Sequence, residues 1–472
     1  MNSLRTKILF VPIASLGLLL LGAVNRESLP NSVEVFEYDT SPDSGGETTR
    51  FEQGRDAFNR PTPNLTLKNR TSFFVGNSFF KQNWIAAPGS AVARDGVGPY
   101  FNARSCTGCH TFDSRGRMPE NAEEAPIALL IRISRGIDPE TGAPIPDPQY
   151  GLQLQNFSLP GLQPEVNISL DWETIEGTYP DGTPYTLQKP ILTYSEWKDG
   201  PPEEGLLTGP RLAPQIPGVG LLEAISAETL HSFADPDDSD GDGISGKLSI
   251  VGTDSEGDPL IGRFGWKAEQ PTVRHQSAAA FLGDMGLSTS LFTDDHDQAP
   301  YDRERYPTGG EPEVEDKILD HVSRYTMLLG VPGRRNTEDL EVRRGQRLFH
   351  EIGCASCHIP KMETGEVEGI PEVSHQTIRP YTDLLLHDMG EGLSDERPIF
   401  NASGREWRTP PLWGIGTLDT VYGETAYLHD GRASTMEEAI LWHGGEAEQS
   451  KEDFTHLSAE DRQAVIAFLE SL

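Results

Sequence analysis

Apolar residues are unevenly spread along this chain, and their spacing predicts a few well-separated elements. The first is residues 8–24, an apolar run behind Arg5 and Lys7 that is interrupted by Pro12, Ser15 and Gly17. A membrane-spanning helix needs about 20 apolar residues, so residues 1–25 read as an export signal, with an uncleaved N-terminal anchor as the alternative. No later segment is apolar enough to span a membrane. Gly345-Gln-Arg-Leu348-Phe349 has the spacing of a short helix. Near the end of the chain, Ser458 followed by Asp461 opens an amphipathic helix bearing Val465, Ile466, Phe468 and Leu469. Between these regions, residues 168–197 hold the turn signal Pro180-Asp-Gly182 and the β-formers Tyr185 and Leu187, which predict short strands or a hairpin.

Composition changes this picture in two ways. The 48 glycines and 36 prolines among 472 residues point to long ordered loops. The 73 acidic residues outnumber the 39 basic ones for a net charge of −34, which repels nucleic acid and anionic membranes. A small basic partner suits such a surface, and a merely solubilising charge is the alternative reading. The length accommodates two or three domains.

All four cysteines fall in two motifs, Cys106-Thr-Gly-Cys109-His110 and Cys354-Ala-Ser-Cys357-His358. Two thiols at this spacing can add across the vinyl groups of one haem, while the adjacent histidine supplies the proximal iron ligand. That reading gives two covalently bound haem c groups, with His110 and His358 on the irons. A zinc site shared between the motifs or a pair of redox disulfides would leave the two histidines unexplained. The helix before Cys354, the long loop after it and the terminal helix together describe a cytochrome c domain over residues 335–472. Upstream, Gly54-Arg-Asp-Ala-Phe58 echoes Gly345–Phe349, and Arg211-Leu-Ala-Pro214 echoes Arg408-Thr-Pro-Pro411, as in a duplication. The expected organisation is therefore a linker over 26–50, an N-terminal haem domain with insertions over 51–334, and the C-terminal domain. The fold class expected is mainly α, two cytochrome c-like domains with long loops and a small β-containing insertion.

An acidic loop occupies residues 235–249. Counted from Asp238, the carboxylates of Asp238, Asp240 and Asp242 take positions 1, 3 and 5 of an EF-hand-like calcium loop, with Gly243 at position 6. Ser249 stands at position 12 in place of a bidentate glutamate, so calcium is weighed here against a solvated acidic turn.

Arg408-Thr-Pro-Pro-Leu-Trp413, Tyr427-Leu-His429-Asp430-Gly431-Arg432 and Glu437-Glu438-Ala-Ile440 resemble the bacterial di-haem cytochrome c peroxidase and MauG superfamily. Asp95–Pro99, Phe101–Cys106, Gly262–Trp266, Leu386–Gly390 and Leu441–Gly445 are similar to its di-haem oxidoreductase branch, labelled as peroxidases or thiol oxidoreductases. The resemblance covers most of the chain after Phe51. It implies one six-coordinate haem that handles electrons and one haem that reacts with hydrogen peroxide or a similar small oxidant. It also implies a small redox protein as electron donor or acceptor. The distal histidine of the classical peroxidases is missing, because no histidine lies between His110 and His231.

The resemblance marks His443 as the sixth ligand of the C-terminal haem, with Met389 and then His387 as competitors. It places Glu223 and Arg211 near the peroxide, as proton carrier and positive dipole. Trp266 is either an inter-haem relay or a core residue, and His429 a supporting group. The implied function is a peroxidase-like oxidoreductase passing electrons from the C-terminal to the N-terminal haem. A plain di-haem electron carrier and a MauG-like oxidant of another protein are the alternatives.

Overall fold

Two pairs of crossing helices, one beside each Cys-x-x-Cys-His motif, organise the computed structural model, which describes residues 36–293, 302 and 304–472. The apolar run 8–24, and the export signal read from it, lie outside the described residues. Contacts divide the chain after Glu37, and Tyr38–Leu472 forms one compact unit. In it, the helix Leu67–Lys81 packs on Asp316–Met327, and Leu340–Glu351 packs on Ala459–Ser471. Side chains cap three of these starts by accepting backbone N–H groups: Thr66 from Asn69, Asp339 from Glu341 and Ser458 from Asp461.

Each crossing point is a glycine. A Cβ on Gly76 would overlap the carbonyl oxygen of His321, and one on Gly345 would overlap that of Ala464. Only a residue without a side chain lets two backbones approach so closely. Four residues after each glycine a phenylalanine meets a motif histidine. Phe80 lies 6.4 Å from His110 and Phe349 lies 6.2 Å from His358, ring centre to ring centre. The second helix then adds Tyr325 against Phe80 at 5.1 Å and Phe468 against Phe349 at 5.2 Å. The structural counterpart of Gly345–Phe349 is thus Gly76–Phe80. Gly54–Phe58, whose sequence echoes it, forms turns, and its Ala57 and Phe58 fill the core beside the C-terminal motif.

The expectation of a mainly α chain is overturned. The chain is 29% helical and 18% strand, with many short strands in sheets of two or three. Leu129–Ser134 is the centre of an antiparallel sheet flanked by Gln153–Leu154 and Leu207–Leu212. Asn167–Thr178 and Pro184–Ser195 form a long hairpin that turns at Pro180-Asp-Gly182. Frequent prolines stop helices from growing, and the loops satisfy their backbone groups by brief pairing instead. The hairpin tip reaches the C-terminal helices, where Tyr179 Oη donates to Glu437 at 2.6 Å and Arg462 meets Asp181 at 2.8 Å.

Two hydrophobic clusters interlock. Trp413, far along the chain, belongs to the cluster around Phe73, Phe80 and Tyr325, while Trp266 belongs to that around Phe349, Tyr381 and Phe468. Thr49–Arg50 pairs in parallel with Val331–Pro332. Among the described residues, no helix is long and apolar enough to cross a membrane.

Candidate functional site

Both motifs open onto one largely apolar cavity of about 380 Å³, lined by Cys106, Cys109 and His110 and by Cys354, Cys357 and His358. The short helix Cys106–Cys109 delivers the first motif, and Gly353, at φ +82°, turns the chain out of Leu340–Glu351 into the second. None of the four cysteines forms a disulfide. Burial pushes the thiols of Cys106 and Cys354 up to about 12. Among the described residues, no group of metal-binding side chains joins the two cysteine pairs, which removes the ground for a shared zinc.

Three cavity histidines share one arrangement. Nδ1 of His110 donates to the Pro214 carbonyl at 2.8 Å, that of His358 to Tyr381 at 2.9 Å and that of His443 to Ala439 at 2.7 Å, if each N–H sits there. Such a bond fixes the tautomer that leaves Nε2 unprotonated, the form in which imidazole binds a metal. Burial lowers all three pKa values, to about 4 for His110 and His358, so the rings are neutral. His443 is close enough to lower the pKa of His358 electrostatically, which ties it to the second motif. Pro214 belongs to the Arg211–Pro214 segment, but Tyr381 lies upstream of Arg408–Pro411, so the two echoing segments do different work.

His387 is taken out of contention as a ligand, because Nδ1 bonds Glu446 at 2.7 Å and Nε2 bonds Asp383 at 2.8 Å. Burial opposes its charge, but the two carboxylates and the Cys357 sulfur outweigh it and lift the pKa to about 12. Met389 lines the cavity beside His443, and Met285 lines it on the Val273–Met285 helix.

Part of the cavity lining is aromatic and cationic. Trp407 stacks on His429 at 3.7 Å, Trp266 meets the same imidazole edge-on at 6.5 Å, and burial pushes His429 down to about 3. Arg211 lines the cavity, lies 4.7 Å above the Trp407 ring and pairs with Asp395 at 2.6 Å. Glu223 stands outside the lining. Its carboxylate accepts the N–H of Val273 and so caps the Val273–Met285 helix, and burial raises its pKa. The carboxylates that do line the cavity are Glu269, Asp284 and Glu446, and Glu269 is held by the Lys267 N–H at 3.0 Å. Sequence reading passed over Glu269 and Arg115, since a tight turn (Phe264 pairs with Gln270) and a loop after His110 place them without any periodic signal.

The carboxylates of Asp238, Asp240 and Asp242 converge within 4.8 Å at the surface. The chain then passes Ile244, in the cavity wall, to Ser245, whose N–H and hydroxyl both donate to Glu446.

A family model described as "Di-haem oxidoreductase, putative peroxidase" matches residues 38–472, the whole compact unit. The chain is a di-haem oxidoreductase by family. No curated protein is matched by it. The cavity of this di-haem oxidoreductase fits the groups its family name implies. It offers two thiol pairs, a neutral Nε2 beside each pair and apolar walls. Arg115 Nε is buried there without a partner. The residues that would hold each haem are one motif's two cysteines and its histidine.

Proposed function

We propose that the chain is an exported di-haem c-type cytochrome of peroxidase type, with a haem covalently held at each motif, using hydrogen peroxide as oxidant. When bound, the haems supply one-electron chemistry and, where a coordination position stays open, an iron that can take peroxide oxygen. The observation that carries this reading is an asymmetry. His443 offers a third, Nε2-free imidazole beside His358. Around His110 no second imidazole is tied in the same way among the described residues.

His443 thus closes the C-terminal site, which serves electron transfer, and the N-terminal site is left to react. Arg211, in the cavity lining, would supply positive charge toward the negative charge that builds up in oxygen–oxygen cleavage. Glu269, half-buried in the same cavity, carries the proton that the departing oxygen takes up. Trp266 and Trp407 fill the wall that electrons cross from the C-terminal to the N-terminal side. With a net charge of −34, a small basic redox protein is the electron donor the surface favours.

Carbon monoxide and cyanide binding to the oxidised, half-reduced and reduced protein test the reading, with peroxide turnover followed on the same sample. One ligand-binding haem and turnover are expected. If neither haem takes an external ligand in any redox state, the chain is an electron carrier and the peroxidase reading fails.

A further inference from the structure

Two buried arginines of the cavity wall lack the anion that their burial calls for. Arg115 and Arg408 are 8% and 7% exposed, and both line the cavity. Arg115 donates to the Leu428 carbonyl and lies 5.1 Å above the Trp266 ring, while its Nε has no partner. Arg408 donates from Nε to the Gly265 carbonyl at 2.9 Å and from Nη1 to the Thr409 carbonyl at 3.2 Å. Its own backbone N–H donates to the Trp266 carbonyl at 2.9 Å, so both arginines are tied to the Gly265–Trp266 segment, Arg115 through the indole ring and Arg408 through backbone carbonyls. Neither is within ion-pair distance of a carboxylate among the described residues.

The neighbouring cations show the contrast. Arg211 pairs with Asp395 at 2.6 Å, and Arg432 pairs with Asp430 at 2.6 Å. Burial lowers Arg115 and Arg408 to about 10 each, which still leaves both charged at neutral pH. An isolated buried charge is strongly unfavourable, and a buried arginine is ordinarily paired. In a chain with 73 acidic residues, two unpaired arginines on one cavity wall do not reflect a shortage of carboxylates. Glu269 shares the cavity and acts on Arg408 electrostatically, without reaching it as an ion pair.

We propose that Arg115 and Arg408, both tied to the Gly265–Trp266 segment of the cavity wall, are the counter-ions of haem propionate carboxylates. The inference rests on the reading that both motifs hold haem. Each haem carries two carboxylates, and the guanidinium fork matches a carboxylate with two parallel N–H bonds. Backbone carbonyls already hold both side chains, with the Trp266 indole beneath Arg115 as well, so the forks are oriented before the ligand arrives. Pairing there keeps the propionates ionised inside an apolar cavity, and the positive charge of each arginine favours the reduced iron.

Haem made from ¹³C-labelled 5-aminolevulinate lets infrared spectroscopy follow the propionates in the intact di-haem protein. Haem content is counted first, because a chain without haem sinks the functional reading rather than this one. In the native protein the carboxylate bands should stay ionised between about pH 5 and 9. In Arg115→Gln and Arg408→Gln, bands of one haem should shift and begin to titrate within that range, with a fall in that haem's midpoint potential. Arg115→Lys and Arg408→Lys, which keep the charge, should largely retain the potential. Native bands that titrate within the range overturn the proposal, and this measurement stands even if the glutamine variants do not fold. Bands unmoved in both glutamine variants overturn it too, and would leave the arginines to a free anionic ligand.

Discussion

Whether a buried histidine can hold a metal depends on what its other nitrogen does. His443 has Nδ1 engaged and Nε2 spare, whereas His387 has both nitrogens engaged by carboxylates. His443→Ala should therefore turn one haem from low-spin to high-spin in electron paramagnetic resonance, and Met389→Ala should leave the spectrum unchanged. The reverse result would make Met389 the ligand. The same logic of placement separates two glutamates. Glu269→Gln should lower peroxide turnover by about 100-fold or more. Glu223→Gln should keep turnover and cost about 1 kcal/mol of stability through the weakened helix cap. Asp113 gives a pH signature, since burial is the main cause that lifts its pKa to about 6, against the Tyr325 hydrogen bond at 2.6 Å. An acid whose folded pKa lies above its unfolded value prefers the neutral form when folded. It lowers stability as pH rises from about 4 through 6, and costs nothing below that window. Asp113→Asn, still able to accept from Tyr325, should be more stable than the native protein at pH 7 by about 2 kcal/mol. Denaturant titrations should show the gap closing by about pH 4.

At the scale of elements, the helices beside the motifs depend on two glycines. Gly76→Ala and Gly345→Ala each drive a methyl into a backbone carbonyl of the partner helix, so each should cost at least about 1–3 kcal/mol in denaturant unfolding. The Gly345 change should disturb the haem at Cys354 and leave the other spectrum in place. Equal disturbance of both haems would mean that the two halves do not respond separately. These glycines also show how much of the fold the sequence made legible. The helix before Cys354 and the capped terminal helix follow from apolar spacing and a serine cap, both local signals. Gly76–Phe80 shares only its glycine and phenylalanine with Gly345–Phe349, so its role rests on a crossing with Asp316–Met327, which is distant in the chain. Gly54–Phe58 shares the same two letters, but it forms a turn and its Phe58 is recruited into the C-terminal core. The fold class was misread for a related reason. Two-residue strands pair with distant partners and leave no alternation to detect. The two Cys-x-x-Cys-His motifs stand out by local spacing, and the structure brings both to one cavity, whereas the arginines of its wall come together only in three dimensions.

At the scale of the whole molecule, the charge of −34 is not evenly tolerable, and the acidic turn concentrates it. Asp238, Asp240 and Asp242 bring three carboxylates within 4.8 Å of one another, a group that a hard cation such as calcium would relieve. Their mutual repulsion would not stay local. The segment is tied back to itself by the Asp235 N–H, which donates to the Gly246 carbonyl at 3.0 Å. Lys247 exchanges backbone bonds with Leu386, at 3.1 and 2.9 Å, and Ser245 holds Glu446, which in turn holds His387 beside Cys357. The turn is thus joined, through the chain and its hydrogen bonds, to the cavity wall beside Cys357. Calcium bound there would stabilise the folded form by mass action, and its removal would loosen that wall first. A chelator should therefore lower the melting temperature and shift the spectrum of the haem at Cys354 and Cys357 before that of the other. Covalent haem content should not change. Triple replacement of the three aspartates by asparagine should remove the chelator's effect, because the repulsion and the site vanish together. A melting temperature indifferent to both chelator and added calcium would leave the turn as a solvated acidic loop.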